Sequence, residues 1–489
     1  MTWSLVSLGA VLLIDILVSK RIQNHFRLRH IPGPFWTGWT DLWLIRRQLG
    51  GELNFELYDV NKKYGPLARI GPNWVVCSDP NELRRIWSVH SDYKRAYWYR
   101  GLRVDPYRDS TFSTLDECVH DDLRTKLLPG YGGKDVDNLH DINDEQVLGL
   151  VRLLESKYLS VDGRRDETII EKGGTEKSRY VTVDLARKIQ FFTLDVISSL
   201  AFGRSFDYLK ADADTFGYIH TTESTMPILM TTALVPGLVD LMQTQWLRRI
   251  MPDIRKMVGI GTVMNLAHDA VSERYASPPV VKRDMLGSFI SHGLSQADAE
   301  GEAVVQIIAG SDTSATAIRS TFLFLISSPH AYTRLQREID AGVIAGRISS
   351  PIIDAEARAF PYLQAVIREG LRMWPPATGL LPKVSDHDDI ICGHHIPSGT
   401  CVAWAVWSVM RDRSIFGEDA EIFCPERWLN ISPEKYRLMD QTLMLDFAGG
   451  SRYECLGKNV ALIELNKVYV EVGHSFFLSI AYEAMLFPA

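Results

Sequence analysis

The chain is predicted to fold as a mainly α-helical body with a minor β region, and three observations carry that prediction. Apolar residues recur at helical spacing through most of residues 183–370. Short strand-like segments broken by Gly-Pro or Gly-containing turns lie at 64–76 (YGPLARIGPNWVV) and 389–400. The composition, 46% hydrophobic and 23% charged over 489 residues, is that of a globular protein with a large core.

Taken in chain order, residues 3–18 are apolar except for Ser4, Ser7 and Asp15, and Lys20, Arg21, Arg27 and Arg29 follow. A membrane span needs roughly 17–25 residues, so the run is slightly short. A cleaved signal peptide would carry its positive charge ahead of the apolar run. Charge after the run is the pattern of a chain that stays cytoplasmic. The expectation is a membrane anchor over 1–21, with a buried soluble helix, favoured by Asp15, as the alternative. Residues 22–36 contain Ile31-Pro32-Gly33-Pro34 and read as a stiff hinge. Helical spacing follows at 81–87 and 137–158, and 160–180 reads as a polar surface loop. Ser328-Pro329 signals a helix start, with Ser capping and Pro at the first position. The main domain is drawn over 37–472 and an atypical tail over 473–489.

The net charge of -7 argues against a nucleic-acid surface. Six cysteines stand far apart with no CxxC pair, which excludes the usual zinc and dithiol motifs. Cys77, Cys118, Cys392, Cys401 and Cys424 read as small buried hydrophobes.

Cys455 differs. Residues 447–457 read FAGGSRYECLG, a loop whose glycines let backbone pass close to a flat cofactor, and helical spacing follows over 460–472. A cysteine at a helix N-terminus is favoured as thiolate. Gly457 would let an amide approach the sulfur, and Arg452 adds a cation able to pair with a carboxylate. A core cysteine beside a Gly-rich turn is the alternative these residues alone leave open.

This run resembles the haem-binding loop of the cytochromes P450, FxxGxRxCxG. Arg452 stands three residues before the cysteine instead of two, and Phe447 one position farther than usual, which leaves an Arg452 contact with a haem propionate open. Glu369-Gly370-Leu371-Arg372 is similar to the family's ExxR, and Pro425-Glu426-Arg427-Trp428 to its PERF/PERW segment. The resemblance implies a structural triad of Glu369, Arg372 and Arg427. Ala309-Gly310-Ser311-Asp312-Thr313 lies inside a long helical pattern, where Gly and Ser suggest a local opening, and resembles AGxDT. By that resemblance Thr313 would hydrogen-bond dioxygen, Asp312 would help deliver protons, and Gly310 would leave room above the haem. His120 and Arg124 stand at i and i+4 and resemble WxxxR with His in place of Trp; both, and more weakly Lys383, are expected at the haem propionates.

Segments around 112–113, 362–376 and 407–428 resemble the fungal pisatin-demethylase-like branch. What this implies is one haem b ligated by Cys455, a membrane-bound NADPH-cytochrome P450 reductase as electron donor, and location on the endoplasmic reticulum with the catalytic domain cytoplasmic. The implied reaction is monooxygenation of a small lipophilic molecule in secondary metabolism or detoxification. Two other classes stay open. One is a haem-thiolate isomerase or dehydratase, against which Asp312 and Thr313 weigh; the other is an impaired or non-catalytic descendant. The latter rests on 473–489 (GHSFFLSIAYEAMLFPA), which lacks the charged, Gly-rich turn of the strand pair found there in the family. A misread splice junction is expected, with a natural short form as the alternative.

Overall fold

The computed structural model describes residues 19–479 except 106–107, 138, 161–180, 243, 250–253, 278–279 and 477. The expected anchor therefore lies almost wholly outside the described residues, as do nearly all of the 160–180 loop and much of the tail. Among the described residues no helix is long and apolar enough to cross a membrane.

Helices α1 (Leu42–Leu49) and α2 (Leu53–Tyr64) lead into strands β1 (Leu67–Gly71) and β2 (Trp74–Cys77), both buried along their whole length. Asp79 then caps α3 (Pro80–Trp87), accepting from the amides of Asn81 and Glu82 at 2.8 and 3.0 Å, with Pro80 in the first turn. β3 (Lys94–Arg95) precedes α4 (Glu117–Tyr131) and α5 (Leu139–Leu153). Next comes α6 (Leu185–Phe202), buried on every face from Lys188 onward, which makes it a core helix. α7 (Tyr218–Thr232) and α8 (Ile260–Tyr275) lead to α9 (Gln296–Ile326), which at 31 residues is the longest element.

α9 runs unbroken through 309–313, where the sequence suggests an opening. The hydroxyls of Ser311 and Thr313 donate back to the carbonyls of Ile307 and Ala309, both at 2.8 Å, so no backbone group is left wanting. Gly310 has a different part from the one expected. A β-carbon there would lie 2.8 Å from Ile197 of α6, so its bare surface lets two helices approach. On another side, a β-carbon at Gly370 of α11 (Pro361–Met373) would come within 1.9 Å of the Thr321 hydroxyl. α10 (Pro329–Ile344) does begin with Pro329, but the Ser328 side chain makes no capping bond; its ψ of 81° departs from the extended cap geometry.

β4 (Lys383–Val384), the hairpin β5 (Asp389–Ile391) and β6 (His394–Ile396), and β7 (Cys401–Trp404) complete the strands. The main sheet has the order β1-β2-β7-β4-β3. β7 lies parallel to β2, Trp74 beside Cys401 and Cys77 beside Trp404, joining early and late parts of the chain. Of the five cysteines expected in the core only Cys77 is fully buried, and Cys118 is exposed on the first turn of α4. The last helix, α12 (Lys458–Ser475), crosses the point where the tail is expected to begin, and the Leu478 amide donates to the Tyr332 hydroxyl of α10 at 3.0 Å.

Glu464 of α12 is buried against Ser314 of α9, and one of its carboxylate oxygens has no partner among the described residues. Burial pushes its carboxyl up to about 8 from an ordinary 4.5. Between those values the folded protein holds a proton that the unfolded chain has released, so stability falls as pH rises through that window. Glu464→Gln should therefore raise Tm by roughly 2 °C at pH 8 and leave it unchanged at pH 5. Thermal melts at the two pH values check this, and an equal shift at both would refute it.

Candidate active site

The loop before α12 is built by local backbone bonds. Ala448 and Gly450 take left-handed φ of 50° and 76°, and a β-carbon at Gly449 would meet the Met444 carbonyl at 2.8 Å. Ser451 N–H returns to Ala448 O (3.1 Å) and Cys455 N–H to Phe447 O (2.9 Å), while Val89 N–H, just past α3, holds Gly450 O (3.1 Å). Cys455 thus stands immediately before α12, where the Gly457 and Lys458 amides and the Arg124 cation favour its thiolate. Burial outweighs them and raises the thiol. Yet the cysteine has exposed surface. Glycine is not needed for the Gly457 contact, because a β-carbon there would sit an ordinary 4.0 Å from the sulfur.

Ala309 and Thr313 are also exposed, one turn apart in the middle of α9, whose neighbouring residues are buried or half-buried. Open space therefore runs along that side of the helix. Asp312 points elsewhere. Its Oδ1 accepts from Gln190 Nε2 at 2.8 Å, and burial raises its carboxyl. Gln190 in turn accepts from Arg187 (3.4 Å), which binds Glu223 at the surface (3.1 Å). The structure does not bring the Asp312 and Thr313 side chains together.

Around Tyr453 the structure gathers buried cations. Arg95 lies 4.1 Å over its ring and Lys383 4.4 Å from it, while His120 meets it edge-on at 4.7 Å. Burial pushes the Lys383 ammonium down to about 7 and the His120 imidazole to about 4. Arg95 spends Nη1 on the carbonyls of Thr111 and Thr114, and its Nε has no partner among the described residues. Asp121 pairs with His120 at 2.9 Å, Glu302 accepts from the Thr111 hydroxyl at 2.8 Å, and Glu117 accepts from the Tyr453 hydroxyl at 3.1 Å and binds Arg452 at 2.6 Å, so Arg95 and Lys383 have no ion pair among the described residues. Arg452 is thereby turned outward onto α4, as the extra residue between it and Cys455 allows. Arg124 is fastened to the cysteine loop through Glu454 O at 2.6 Å. Buried cations without buried anions are costly. An anionic cofactor edge suits them, and a haem carries two carboxylates there.

Arg95 and Gln190 escape sequence reading. An arginine amid Tyr93, Tyr97, Trp98 and Tyr99 is the only available signal for the first, and none marks the second.

Glu369 and Arg372 are fully buried in a two-pronged ion pair (2.9 and 2.7 Å). Arg427 joins the same carboxylate at 2.9 Å.

A helical body around a long central helix, a lone cysteine on a glycine loop and a cationic cradle define a haem-dependent oxidoreductase. The chain belongs to the cytochrome P450 family, which it matches over residues 30–482. It is 37% identical to cytochrome P450 monooxygenase aba1 of Botryotinia fuckeliana, over 93% of this chain and 87% of that one. Identity is 38% with ABA1 of Pyricularia oryzae, covering 94% and 89%. With abl1 of Leptosphaeria maculans it is 34%, covering 97% and 82%. The protein is a monooxygenase with haem as cofactor, served by an electron-donating partner and acting on a small molecule.

Removing the Arg95 guanidinium deletes a charge-assisted contact worth about 1.5–3 kcal/mol. Arg95→Ala should thus lose haem at least about tenfold more readily, measured as transfer to an apo-globin acceptor. Unchanged retention would show that Arg95 faces no cofactor group.

Proposed function

We propose that this enzyme oxidises a small lipophilic molecule of fungal secondary metabolism or detoxification, as its resemblance to the pisatin-demethylase-like branch implies, with Cys455 as the residue that would hold the haem iron. The observation that carries this reading is Cys455 itself, desolvated yet with exposed surface, on the glycine loop that leads into α12. When bound, the haem supplies dioxygen activation, which a thiolate ligand promotes by donating electron density. The remaining work falls to the chain. The helix-start amides of Gly457 and Lys458 steady the negative sulfur. Arg95, Arg124, His120 and Lys383 hold and orient the cofactor's carboxylate edge. Glu369, Arg372 and Arg427 keep the cysteine loop's support rigid.

Thr313 presents its hydroxyl to the open side of α9, where the reaction needs protons. Asp312 is the carrier. Gln190, anchored through Arg187 to Glu223 at the surface, holds the Asp312 carboxylate on the path from solvent; Asp312 takes its proton from water and swings from Gln190 toward Thr313 to release it. Membrane association is part of the same proposal: Phe35, Trp36 and Leu42 are largely exposed just beyond the expected anchor, and α1 packs on α7, where Ile228 is also exposed.

Cys455→Ser should abolish both the thiolate-type reduced carbon-monoxide band and turnover; a mutant that kept the band would overturn the ligand assignment. Gln190→Leu should bind haem and substrate normally but form several-fold less product per NADPH, the balance leaving as peroxide. An unchanged yield would refute the Gln190 path.

A further inference from the structure

Cys77 and Cys392 come together from distant parts of the chain. Cys77 ends β2 and is wholly buried, whereas Cys392 opens the two-residue turn between β5 and β6 and is partly exposed. Polar contacts seat that hairpin on α3. Arg85 Nη2 and the Tyr93 hydroxyl both donate to Asp389 Oδ2 at 2.8 Å, and Cys392 N–H donates to Glu82 Oε1 at 3.1 Å. The two thiols then face each other, and each is the largest influence on the other's protonation.

Turn chemistry does not account for a cysteine here. Cys392 and Gly393 have φ of 50° and 78°, a type I′ pattern that favours Asn, Asp or Gly at the first position. The Cys392 side chain packs against the core cluster that contains Cys77. From outside, Cys392 is reached through an open cleft that Asp79, Glu82 and Arg85 also line.

We propose that Cys77 and Cys392 form a reversible disulfide, which makes the tip of this hairpin a thiol-oxidation site. The oxidant is a small-molecule disulfide of the glutathione type. The Cys392 sulfur attacks one oxidant sulfur, breaking the oxidant's S–S bond, releasing one small thiol and leaving a mixed disulfide on Cys392. The Cys77 sulfur then attacks the Cys392 sulfur and expels the second small thiol. Two protein S–H bonds become one S–S bond, and the two electrons and two protons leave on the two small thiols. The order follows from access and charge. Cys77 and the Arg85 cation hold the Cys392 thiol below its ordinary value, whereas the buried Cys77 is pushed up and is reached only through Cys392.

The test treats the full-length, haem-loaded enzyme with oxidised glutathione and maps its peptides without reduction. The expected product is one cross-linked pair containing Cys77 and Cys392, with two fewer alkylatable thiols, both recovered with dithiothreitol. Cys77→Ser should stop at a glutathione adduct on Cys392, and Cys392→Ser should form neither adduct nor bridge. The reduced carbon-monoxide spectrum confirms that each variant is folded, and if a variant fails that check the wild-type peptide map alone decides. Wild type that stops at the Cys392 adduct, stays unmodified at both residues, or bridges Cys77 elsewhere would overturn the proposal.

Discussion

The carboxylate of Glu369 is the point on which the lower half of the molecule hangs. It is fully buried and accepts five hydrogen bonds: two from Arg372, one from Arg427, one from the indole of Trp428 and one from the amide of Cys424. Arg372 spends its other hydrogens on the carbonyls of Met410, Ala420 and Ile422. Arg427 reaches Asp419 and Ile422. A buried ion pair is weak grounds for stability in itself, since desolvation offsets most of its attraction. Its effect here is specificity. Residues 410–429 contain little regular structure, and the donors converging on one carboxylate fix their path on α11. Loss of Glu369 would strand the Arg372 guanidinium in the core, at about 3–5 kcal/mol.

A second constraint works in the opposite sense. Arg95 and Lys383 beside Tyr453 form no ion pair among the described residues, although Asp121 holds His120. An anionic cofactor edge bound there would offset the cost of burying them, and binding and folding would then be linked thermodynamically through these side chains. Glu369 and Arg95 are thus two solutions to burying charge. One is closed by the chain itself, the other left for a ligand.

How much of this is legible in the sequence depends on the separation of the partners. Glu369 and Arg372 stand three apart on one helix, and 447–457 folds largely on itself, so both are visible as short patterns. Arg95 is not, because its environment comes from Thr111, Tyr99 and Tyr453, three separate stretches. Gln190 meets Asp312 across two helices. Gly310 misleads for a related reason. A glycine inside a ligand-binding pattern invites a ligand explanation, whereas its absent side chain accommodates Ile197. Arg452 illustrates register: one residue more between it and Cys455 goes with a cation paired to Glu117. The fold class could be read because helical periodicity is a property of each segment alone. The sheet order could not, since β2 and β7 lie at opposite ends of the chain.

Gly310 and Gly370 let the Ile197 side chain of α6 and the Thr321 side chain of α9 press directly on the facing backbone, so α9 is held tightly between α6 and α11. A wall gripped this way cannot shift to suit a larger or smaller guest. Its open side presents Ala309 and Thr313. Fitting a larger or smaller guest would therefore call for change in parts of the chain other than the central helix.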